Sequence, residues 1–214
     1  MRPARASGLT ARCLVWSTLS MATPPPRERI LASAGGLFHR RGYGAVTVDE
    51  VLTAAGLSRA EFHRHFASKS ELGLAWLCRL ERHMEQTQTA YLERLGSRER
   101  RLRKYFNTMQ AWLADKGYRG CPFANTAAGI DPVEEPEMAA RIDHFKRRQR
   151  QFFIDQAAGL VGPEHAARTG TAVFLLYSGA MTEAQNLHAA WPLEDACAVA
   201  EQLCGLGGSS HSAG

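Results

Sequence analysis

The stretch from Thr47 to Leu72, TVDEVLTAAGLSRAEFHRHFASKSEL, carries a helix-start signature three times. Thr47 precedes Glu50 by three residues, Ser58 stands in the same relation to Glu61, and Ser68 to Glu71. Each pair is a capping box, in which the hydroxyl accepts a first-turn backbone N–H and the glutamate reaches back to the cap residue. Starts this close leave room for two short helices, about 48–55 and 59–66, and a third that can run on. Ala54-Ala55-Gly56-Leu57 breaks the first two apart with the residue that tolerates left-handed dihedrals. Two short helices across a glycine-containing turn make a helix-turn-helix candidate, whose second helix would enter the major groove of DNA.

The placement of charge agrees with that reading better than its sum. The net charge is +5 over 214 residues. Residues 1–20 hold three Arg and no acid, residues 21–72 hold seven basic and five acidic groups, and residues 73–214 hold sixteen of each. A mildly basic N-terminal third on a neutral body suits a DNA-binding head and argues against a general DNA-packaging protein. Five cysteines (Cys13, Cys78, Cys121, Cys197, Cys204) show neither C-x-x-C nor zinc spacing, which favours a reduced, cytoplasmic setting over a disulfide framework. No apolar run approaches the roughly 20 residues of a membrane span.

Along the chain the expectation is all-α. Residues 1–22 read as a disordered leader, with Met21 a natural alternative start and Pro24-Pro25-Pro26 keeping the chain extended. An Arg/Ser-rich, acid-poor leader could also be a transit peptide or a weak secretory signal. Residues 23–72 form the helix-turn-helix head. Its first helix bears an apolar stripe of Ile30, Leu31, Ala34, Leu37 and Phe38, and Gly35-Gly36 within it implies close packing. Phe62 and Phe66 should point inward from the third helix. Residues 73–206 form the body: helices at about 69–95, 98–115, a short one in CPFANTAAGI, 135–160, 163–188 and, after a break at Trp191-Pro192, 193–205. Residues 207–214, rich in Gly and Ser, form a flexible tail.

Residues 27–72 resemble the DNA-binding domain of the tetracycline-repressor (TetR) family of bacterial transcription regulators. The resemblance rests on Arg29-Ile30-Leu31, Leu37-Phe38, Arg41-Gly42-Tyr43, Thr47-Val48, Ala54-Ala55-Gly56-Leu57-Ser58, His65-Phe66 and Ser68-Lys69-Ser70-Glu71-Leu72. It implies an all-helical ligand-binding and dimerisation body, and a homodimer paired through its last two helices on a double-stranded DNA operator. It also implies a small-molecule effector, apolar or electrophilic, that moves the helix following the head; repression is the usual outcome. An enzyme is not expected, nor a cofactor, a metal or a membrane partner. Three positions depart from the family pattern: Leu52 where alanine is usual, Ala60-Glu61 where Gly-Thr is usual, and His63 where tyrosine is common.

Within the head, contacts divide into those that position and those that specify. Thr47 and Lys69, at helix starts, suit phosphate oxygens. Tyr43, His63 and His65 are further phosphate candidates, and Ser58 opens the recognition helix. Arg59 and Arg64 suit base edges, since arginine pairs bidentately with guanine, and Ala60 suits a thymine methyl. Glu61 either caps with Ser58 or accepts from a cytosine amino group. His65, beside Phe66, is either packed or DNA-facing. His63 and His65 face different ways, which argues against a metal site.

In the body, Arg119-Gly120-Cys121-Pro122-Phe123-Ala124-Asn125-Thr126 resembles a stretch seen in several TetR subgroups. Cys121 at a helix start, near Arg119, is either a thiolate able to sense electrophiles or oxidants, or a small packing residue. A thiol-dependent redox enzyme is the rival from another class, and the missing resolving cysteine speaks against it. Asn125, with Trp112, Phe123, Phe145, Phe152, Phe174 and Tyr177, either surrounds a ligand or forms core. The runs Arg98–Lys104 and Lys146–Arg150 read as solvated faces. Ala172, Leu175, Leu176, Gly179, Ala180, Ala196, Val199, Ala200 and Leu203 are the dimerisation candidates.

Overall fold

The computed structural model describes residues 23–92, 96–113 and 119–206. The leader and the tail therefore lie outside the described residues, as do the side chains of 87–92 and of Trp112. All regular structure among the described residues is helical, and no helix there is long and apolar enough to cross a membrane. In chain order the helices are α1 (Pro26–Arg41), α2 (Val48–Ala55), α3 (Arg59–His63), α4 (Lys69–Leu92), α5 (Arg98–Leu113), α6 (Pro122–Ala127), α7 (Pro136–Val161), α8 (Pro163–Leu187) and α9 (Trp191–Leu203).

The capping boxes of Thr47/Glu50 and Ser58/Glu61 close as the spacing predicts, hydroxyl to N3 and glutamate back to the cap. The third is shifted: Ser68 accepts from the Glu71 N–H, but the Glu71 carboxylate takes the N–H of Ala67 at 2.6 Å. Between α2 and α3, Gly56 sits at φ 63°, ψ 43°, and its N–H closes onto Leu52 and Thr53 carbonyls. An L side chain is strained there, so the glycine sets the turn. The Arg29 guanidinium on α1 then caps the spent end of α2, donating to the Ala55 carbonyl at 2.5 Å. Helix α3 ends at His63 instead of 66, because the chain must turn out to present Ser68 as the cap of α4. Phe66 still reaches the core, its N–H bonded to the Phe62 carbonyl at 2.8 Å.

Two apolar cores result. The first joins Ile30, Leu31 and Phe38 of α1 to Phe62 and Phe66, then continues through Leu72 and Trp76 of α4 to Phe123, Met138 and Phe145 of the body. Burial of each large side chain stabilises by about 1.5–3 kcal/mol, so the head is held to α6 and α7 by apolar surface. The second core gathers α5, α7, α8 and α9 around Phe106, Phe153, Tyr177 and Leu193. Partly buried Cys121 packs against both.

The glycine pair in α1 divides in two. A Cβ on Gly35 would lie 3.2 Å from the Trp76 ring, so close packing is its reason. Gly36 faces only the flexible end of Arg40. Trp191-Pro192 opens α9 rather than breaking the chain before it, since proline fits a first helical turn. The break falls at His188, which adopts φ 49°.

At Gly170, where α8 crosses α7, an added Cβ would stand 2.4 Å from the Ile154 Cα and 2.7 Å from the Phe153 carbonyl oxygen. Only backbone movement could make room. Gly170→Ala should therefore destabilise the fold by about 1–3 kcal/mol or more. Gly36→Ala, with room for its methyl, should stabilise by about 0.5–1 kcal/mol. Urea unfolding followed by circular dichroism separates the two signs.

Candidate nucleic-acid interface and effector pocket

Helix α3 buries one face and offers the other. Phe62 is fully buried beneath it, while Ser58, Arg59, Ala60, His63 and Arg64 are exposed together on the outer side. His65 is half-buried. Arg59 is not free in this arrangement. Its guanidinium grips Asp49 of α2 bidentately, Nε to Oδ1 at 2.8 Å and a terminal nitrogen to Oδ2 at 2.5 Å. That pairing holds the Asp49 carboxyl below its ordinary range. Glu61 donates nothing; its carboxylate accepts from the Ser58 N–H at 2.9 Å and the Ser58 hydroxyl at 3.0 Å, and the first of these lowers its pKa. In this structure Glu61 serves as the cap.

Thr47 is exposed at the start of α2, its hydroxyl engaged with Glu50. Arg41 braces the same carboxylate at 2.6 Å. Lys69, at the start of α4, lies with its ammonium 4.4 Å from the centre of the Tyr43 ring, and burial lowers its pKa. Tyr43 is turned toward the body. It is 5 % exposed and its hydroxyl donates to the Glu135 carboxylate, so in this arrangement the hydroxyl faces the body instead of a phosphate. Burial first, and then the hydrogen bond to Glu135, push its pKa upward. Tyr43, Lys69 and Glu135 thus form a joint between head and body, 92 residues apart in sequence.

The expected ligand residues do not form one cavity. Phe123 and Phe145 stack on each other at 3.6 Å and, with Tyr177, belong to the cores. Phe152 and Phe174 are half-buried, and Asn125 is spent on the Arg119 carbonyl. A cavity of about 270 Å³ lies between α4, α5 and α7, bounded among others by Glu81, Met84, Tyr105, Phe145, Arg148 and Phe152. Of the predicted set, Phe145 and Phe152 reach it. The rest of its described wall, Arg148 and Gln149 of the Lys146–Arg150 run included, carries no local motif that marks a pocket.

Cys121 stands at the cap position of α6 without a side-chain cap bond. Arg119 does not support it: the guanidinium reaches back to the Arg40 carbonyl at 3.2 Å, closing the end of α1. Its cationic neighbour is Lys146, whose Nζ lies 3.6 Å from the sulfur and 3.3 Å from Gln149 Oε1. Gln149 in turn donates to the Tyr105 hydroxyl at 3.2 Å. Lys146 is therefore half-buried and Gln149 buried in a run that reads as solvated, while Arg148 stays exposed. Among the described residues no group of His, Cys, Asp or Glu could hold a metal ion.

Residues 30–75 match the family model described as bacterial regulatory proteins, tetR family, over the segment that forms α1 to the first turns of α4. The head of the chain is thus similar to the TetR-family DNA-binding domain. It is 29% identical over 138 residues to the transcriptional regulator AcuR of Cereibacter sphaeroides, a match covering 61% of this chain and 63% of AcuR. The HTH-type transcriptional activator FasR of Mycolicibacterium smegmatis is 32% identical over 121 residues, covering 54% of this chain and 51% of FasR. The chain thus spans between half and two thirds of the length of these relatives. The fold extends further: SCO4454, a TetR-family regulator from Streptomyces coelicolor, superposes with a TM-score of 0.76 at 23% identity, covering 86% of this chain and 96% of that one.

The Glu50 carboxyl is held at about 2, first by the Thr47 N–H and then by Arg41, against an ordinary value of 4.5. A depressed folded pKa gives stability that is complete above the ordinary value and lost as pH falls through the folded one. Acid unfolding of the head between about pH 4.5 and 2 should therefore be shallower in Glu50→Gln, which starts less stable at neutral pH. Urea midpoints measured across that range check both parts.

Proposed function

We propose that the protein is a homodimeric repressor that grips a near-palindromic DNA operator through α3 and releases it when a small molecule enters the α4–α5–α7 cavity. The observation that carries this reading is the exposed outer face of α3, with Arg59, Ala60, His63 and Arg64 side by side and Phe62 locked beneath. Arg64 is the first choice for a base edge. Arg59 reaches a base only by leaving Asp49, so its contact trades one bidentate partner for another. Thr47, Lys69, His63 and His65 supply phosphate contacts, and Ser58 holds the start of the helix.

Pairing through α8 and α9 is supported by what those helices leave outside. Leu175, Val199 and Leu203 are 61%, 41% and 43% exposed, and a Cβ at Gly179 would meet nothing. Ala180, Ala196 and Ala200 are buried within their own chain and do not belong to that face. A two-fold dimer presents the two α3 helices to successive major grooves, roughly 34–36 Å apart. The cavity lies against α4, the helix that leaves the head, so a ligand that fits one α4 setting better than another shifts operator affinity.

A second reading places the trigger at Cys121. Lys146 beside the sulfur favours it, because an ammonium neighbour stabilises a thiolate. Cys121→Ser should then keep operator binding and lose release by soft electrophiles.

The direct test is binding of the purified chain to genomic fragments at moderate salt. A preferred site with steep salt dependence is expected. Arg64→Ala should cost about 1–3 kcal/mol at that site and relax its sequence preference. Lys69→Ala should weaken specific and non-specific binding alike and lower the salt slope by about one. Absence of any preferred site would end the proposal.

A further inference from the structure

We propose that the ligand taken by the α4–α5–α7 cavity is an organic cation with N–H donors and an aromatic body, a protonated amine or amidine. This rests on the ligand-responsive reading above and adds the chemical class.

The charge of the wall comes first. Among the described residues, Glu81, Glu85 and Asp155 line the cavity against one guanidinium, that of Arg148. An anion entering it would meet three carboxylates in a partly desolvated space, where like charges repel more strongly than in water. Glu81 adds a second and independent observation. It is only 5 % exposed, and its Oε2 is satisfied by Arg141 at 3.1 Å. Its Oε1 is buried and has no hydrogen-bond donor. The nearest basic nitrogens, Arg148 Nη1 at 3.6 Å and His144 Nε2 at 3.9 Å, stand outside hydrogen-bond reach. A buried carboxylate oxygen left this way is unfavourable, and a donor that completes it gains what the free protein lacks.

Arg148 is divided between two carboxylates, since it also pairs with Glu85. An N–H cation at Glu81 would take the place that Arg148 holds only loosely and leave the guanidinium to Glu85 and solvent. The remaining wall suits the rest of such a molecule. Tyr105, Phe145 and Phe152 line the same space, and the Tyr105 and Phe152 ring centres lie 5.1 Å apart. Their faces attract a positive charge and bury an aromatic body. Because Glu81 is on α4 and Arg148 on α7, the exchange replaces a tie between these helices with one through the ligand.

The test is calorimetric titration of the full chain with 2-naphthylmethylammonium and with 2-naphthylacetate, which share a ring system and differ in charge. The ammonium should bind at least tenfold more tightly. Exposed Asp155→Asn should weaken it severalfold without loss of helix content, and Glu81→Gln should do so more strongly. Arg148→Gln, which removes the internal competitor, should tighten it. Equal or tighter binding of the acetate, no binding of either, or an ammonium affinity unchanged in both Asp155→Asn and Arg148→Gln would overturn the assignment. Operator binding is scored on the same preparation without ligand. If it is present while charge preference is absent, only the cation fails; if no operator is found, the regulator reading fails whatever the titration gives.

Discussion

The continuity of the first apolar core is the constraint on which the rest of the molecule depends. Leu72 and Trp76 belong at once to the head, beside Phe38 and Phe66, and to the surface that meets Phe123 and Met138. A helix-turn-helix of this size buries little on its own, so α4 and α7 act as its floor. The Tyr43 ring, edge-on to Phe38 at 5.2 Å and beneath the Lys69 ammonium, fills the seam, and its hydroxyl fixes Glu135 at the entry to α7. The orientation of α3 is therefore set by how α4 lies on α7.

The same two helices carry the polar groups that could alter that setting. On one side Glu81 and Glu85 of α4 face Arg141 and Arg148 of α7. On the other, Cys121, Lys146, Gln149 and Tyr105 form a chain of polar contacts between the two cores. Burial raises the Tyr105 pKa. Polar groups in such surroundings interact strongly when paired and cost heavily when orphaned. A guest that re-pairs one of them can therefore shift the balance between helix settings.

What could be read from the sequence follows from the range of each interaction. The caps at Thr47 and Ser58, the Gly56 turn and the ends of α6, α7 and α8 rest on residues within a few positions of each other. They are legible for that reason. Arg59 illustrates the limit: its fitness for a base edge is visible, but its grip on Asp49 across the α2–α3 turn is not. Tyr43 has the composition of a phosphate contact, and only the fold brings Glu135 to its hydroxyl. Lys146 and Gln149 sit in a charge run that reads as solvated, yet a helix of 26 residues packed on several sides turns some of any run inward. The alanines of α8 and α9 mark close approach without saying to which helix, so Ala180 and Leu175 looked alike and proved opposite.

In the proposed dimer the body holds two copies of α3 at the spacing of successive major grooves. A spin label at position 60 of each protomer measures that spacing directly. With the selected operator bound, the account predicts one narrow distance distribution, consistent with recognition helices roughly 34–36 Å apart. A label pair that gives no intermolecular distance, or a broad distribution that operator DNA leaves unchanged, would contradict it.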